Sequence, residues 1–80
     1  MAIANRAEFL SRLANANTAE AKTPEDVARL VGSEISALRE PGKTSVTEQC
    51  FYAVQAARAG NILTAMAYAE TAWHVYWMYR

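Results

Sequence analysis

The stretch NILTAMAYAETAWHVYWMYR, residues Asn61–Arg80, decides the fold. It contains no Pro or Gly, and it is rich in residues that lose little freedom in a helix, so it reads as one helix of about five turns. Projected at about 100° per residue, Ile62, Ala65, Met66, Ala69, Trp73 and Tyr76 share one face, while Leu63, Tyr68, Val75, Met78 and Tyr79 spread round the rest. A helix apolar on all sides is either central in its domain or meets another molecule. It is not a membrane span, because Glu70 and His74 near its middle are expensive in hydrocarbon.

Working towards the N-terminus, Gly60-Asn61 breaks an otherwise helical run, which separates a third helix from this fourth one. The third helix offers Val46, Cys50, Ala53, Val54 and Ala57 on one side, flanked by Phe51 and Tyr52. Three starts carry an oxygen-bearing cap followed by a carboxylate: Asn5 with Glu8, Thr23 with Pro24 and Asp26, and Ser45 with Glu48. Free backbone N–H groups and the positive end of the helix dipole favour that arrangement, and Pro24 loses nothing at a first helical position. Phe9, Leu10 and Leu13, extended by Ile3, Ala7 and Ala14, form the apolar stripe of the first helix, which fades around Asn15–Thr18. Val27, Leu30, Val31, Ile35 and Leu38 form that of the second, which is expected to run through Gly32 and to end at Pro41-Gly42. Residues 15–22 and 40–44 are expected to be connectors.

The expected fold is therefore all-α: a single helical domain over residues 1–80, a small bundle of four helices whose last two form an antiparallel hairpin. Composition agrees. Hydrophobic residues make up 52% of the chain, with only three Gly and two Pro, which is too apolar for a disordered tail and too poor in turn residues for a many-stranded β fold. A chain of this mass is expected to expose roughly 4,800 Å² when folded and to bury only about 60% of its extended surface, so stability will be thin.

The segment from Gln49 to Ala72 resembles one tetratricopeptide-type helical hairpin. Gly60 falls at the turn, Ala65 and Ala72 at the two small positions of the second helix, and Tyr68 at the bulky position between them. Gln49 stands where that repeat has Trp, Ala53 where it has a second Gly, and Trp77 where it has a closing Pro. The resemblance covers residues 49–72 and occurs once, so it implies a hairpin geometry and not a tandem array with a peptide groove.

The chemistry the sequence excludes is extensive. Eight Lys and Arg against eight Asp and Glu give a net charge of 0, and the basic residues are scattered among acids, so the counterion release that drives nucleic-acid binding is small. A helix-turn-helix around Gly60 is the weaker alternative, since the following helix begins with Ala, Met and Tyr in place of Arg, Asn or Gln. The glycines lie in separate segments, so no phosphate-cradling loop can be built. His74, Glu70 and Cys50 are too few for a metal site, and no oxyanion-forming turn accompanies the cysteine. No enzyme activity, cofactor or metal is expected. MAIANRAE at the start puts charge where a secretory leader carries its apolar stretch, and a lone Cys fits a reducing compartment, so a cytoplasmic, stand-alone protein is expected.

The candidate site is the end of the fourth helix. Trp73, Tyr76, Trp77, Tyr79 and Arg80 gather both Trp and two of the four Tyr beside a cation, and these residue types dominate binding hot spots. The expected function is a non-enzymatic protein-binding module. Its form is a stand-alone inhibitor or accessory factor that sterically occupies a larger complex, for example a phage- or plasmid-type inhibitor of a bacterial nuclease or defence complex. A homodimer built through the same helix is the alternative, and no membrane attachment is expected. On this reading, replacing Tyr76 and Trp77 by Ala removes binding and leaves helicity intact.

Overall fold

The computed structural model describes residues 3–17 and 21–80, and these form an all-α bundle. Its helices are α1 (Arg6–Asn17), α2 (Pro24–Val31), α3 (Gly42–Arg58) and α4 (Ile62–Tyr79), with a 3-10 segment, Ser33–Ala37, between α2 and α3. The molecule measures 31 × 21 × 21 Å and exposes 4758 Å², close to the area expected from its mass. α3 is the central rod: α4 packs along it as the second arm of a hairpin, and α1, α2 and the 3-10 segment cover its other sides. The core comprises Ile3, Phe9 and Leu13 from the N-terminal region, Val27, Val31, Ile35 and Leu38 from the middle, and Val46, Cys50 and Val54 of α3.

Two of the expected starts form as read. The Asn5 side-chain oxygen accepts from the Glu8 N–H at 2.9 Å, and the Glu8 carboxylate accepts from the Ala4 N–H at 2.7 Å. Thr23 and Asp26 make the full reciprocal capping box, at 3.2 Å in each direction. The Ser45 start does not form, because α3 begins earlier, at Gly42. Glu40 supplies the cap instead, accepting from the Thr44 N–H at 2.9 Å and from its hydroxyl at 2.8 Å. α2 likewise stops short of Pro41-Gly42. Gly32 is extended at its end, and the Arg12 guanidinium of α1 donates to the freed Val31 carbonyl at 3.1 Å. The predicted stripe survives this break, since the 3-10 segment still turns Ile35 and Leu38 inward, while Leu30 stays half exposed. On α1 the stripe is shifted: Ala16 is buried, and Ala7 and Ala14 face water. Within the expected connector 15–22, α1 continues to Asn17, and residues 18–20 lie outside the described residues.

The α3–α4 turn follows from two residues. Gly60 adopts φ +82, and the Asn61 N–H reaches the Ala56 carbonyl at 2.9 Å while the Gly60 N–H reaches Ala57 at 3.0 Å, so the end of α3 is closed by a Schellman pair. Asn61 then caps α4, its side chain accepting from the Thr64 N–H at 3.3 Å. Gly60→Ala meets no neighbouring atoms but must hold a left-handed backbone, so it is expected to cost about 1–2 kcal/mol in urea unfolding.

The capping carboxylates also set an acid limit. Glu8 is held below its ordinary 4.5 first by the Ala4 N–H and then by Arg12, and Asp26 below 3.8 first by the Lys22 N–H and then by the Thr23 hydroxyl. Glu40 is lowered by the Thr44 N–H. The unfolded chain therefore takes up protons before the folded one does. This contribution is full above the ordinary carboxylate range and is lost as pH falls through the lowered values. The thermal midpoint is expected to decline as pH drops below 4.5, and Asp26→Asn to flatten that slope.

Candidate protein interface

α4 meets the core through small residues. Ala65, Ala69 and Ala72 are buried, and Tyr76 is the one large side chain of α4 buried with them. Alanines at this spacing let two helix backbones approach closely, but they leave the large apolar residues of α4 nowhere to go except its flanks. Ile62 and Met66, expected on the inner face, are each 58% exposed, and Leu63 is 83% exposed. Further along the helix, Trp77 is 56% and Met78 66% exposed.

The five candidate residues divide. Tyr76 is only 2% exposed, its ring 5.9 Å from Phe9 and 5.8 Å from Trp73. Its assignment as a contact residue is therefore corrected: it belongs to the core, and the proposed pair of alanine substitutions would remove a core side chain along with a surface one. Tyr79 is half buried, lying against Gly42 with the Arg39 guanidinium 5.7 Å from its ring. A Cβ at Gly42 would overlap that ring, which is why α3 starts with a residue lacking one. Trp73 is also half buried, 5.7 Å from Phe9 and 5.6 Å from Trp77. Trp77 and Arg80 face water, with the Arg80 guanidinium 4.6 Å above the indole. A line of rings thus runs from the core at Phe9 through Trp73 to Trp77 at the surface. The exposed indole stands on a rigid base, and Arg80 holds its outer face.

Polar side chains nearby are engaged. Glu70 forms a two-point ion pair with Arg6 of α1, one hydrogen bond of which is 3.1 Å. His74 Nε2 lies 3.9 Å from the same carboxylate and is largely solvent-exposed. Cys50 is sealed inside the core, and burial pushes its thiol up to about 12, the opposite of what a nucleophile needs. Among the described residues no group of His, Cys, Asp and Glu could share a metal ion, and no helix is long and apolar enough to cross a membrane.

What the fold and this surface define is a small all-α bundle whose last helix buries alanines and Tyr76 and leaves Ile62, Leu63, Met66, Trp77 and Met78 exposed. Compared with known proteins, the chain matches no family model, no curated protein and no solved structure.

Proposed function

We propose that the protein is a non-enzymatic helical binding module, acting in the cytoplasm as an inhibitor or accessory factor that sterically occupies a surface of a larger protein complex. The observation that carries this reading is the inversion on α4: alanines face inward, while Trp77 and Met78 stand in water next to Arg80. Contiguous exposed apolar patches mark interaction sites, and Trp and Arg are among the residue types enriched at binding hot spots. Centrality does not account for the composition of α4, since α3 is the central helix. A bacterial nuclease or defence complex is the class of partner proposed.

A photo-crosslinking residue in place of Met78 tests this directly. A discrete adduct with one component of such a complex, competed away by unlabelled protein, is the expected result. Labelling that is diffuse, or not competed, counts against it.

A further inference from the structure

We draw no further inference here: the strongest candidate, the apolar gap between α1 and α4 lined by Leu10, Ala14, Ile62 and Met66, carries none because nothing in the structure shows what covers it.

Discussion

Tyr76→Ala is expected to remove a large share of the folding free energy. Removing a buried aromatic ring costs about 3–5 kcal/mol, and a chain of 80 residues has roughly 4–12 kcal/mol to lose. The ring sits between Phe9 and Trp73, and the alanines beside it on α4 cannot expand into the hole. Urea unfolding followed by circular dichroism is the measurement, and the midpoint should fall steeply, by the denaturant equivalent of about 3–5 kcal/mol. Tyr76→Phe keeps the ring contacts and should retain most of the stability. A Tyr76→Ala protein with the wild-type midpoint would show that α4 is held by its alanines alone.

Trp77→Ala should behave in the opposite way. Its side chain is more than half exposed, so stability should change by about 0.5 kcal/mol or less, while affinity for the partner should drop at least about 30-fold, the smallest loss expected of a hot-spot residue. Trp77→Phe should recover part of that affinity, because a smaller ring on the same base still covers apolar area, and Arg80→Ala should lose less than Trp77→Ala because an exposed cation–π contact contributes only about 0.5–1 kcal/mol. Titration calorimetry against the crosslinked partner reads all three variants. Equal affinity for wild type and Trp77→Ala would remove the surface reading, whatever the oligomeric state.

Adjacent residues with such different fates show how far the sequence can be read. Tyr76 and Trp77 are both large and aromatic, and they point about 100° apart on the helix. On a helix apolar all round, periodicity cannot say which of them faces inward. The choice is made by Phe9, far away in the chain, which fills the space beside Tyr76. Local signals were legible where the physics is local. The caps at Asn5 and Thr23 and the turn at Gly60-Asn61 all depend on atoms within a few residues. The end of α2 is not legible for the converse reason, since Arg12 reaches across from another helix to take the Val31 carbonyl. The start of α3 is set locally, by Glu40 accepting from Thr44 four residues on, a contact hidden by the more familiar oxygen cap at Ser45. The gap between α1 and α4, lined by Leu10, Ala14, Ile62 and Met66 over Ala53 and Ala57, is not legible in the sequence, because it is made by what alanines fail to fill once three helices have taken their places.

The clasp between the first and last helices sets the order in which a growing chain can mature. Arg6 and Glu70 lie 64 positions apart, and Phe9 has no ring to close on until Trp73 and Tyr76 have been synthesised. A ribosome adding about 5–20 residues per second therefore takes several seconds to supply those partners once α1 is made. Docking of α4 completes the core around Phe9, so a nascent chain stalled before Trp73 should be cut more readily by protease than one that includes all of α4.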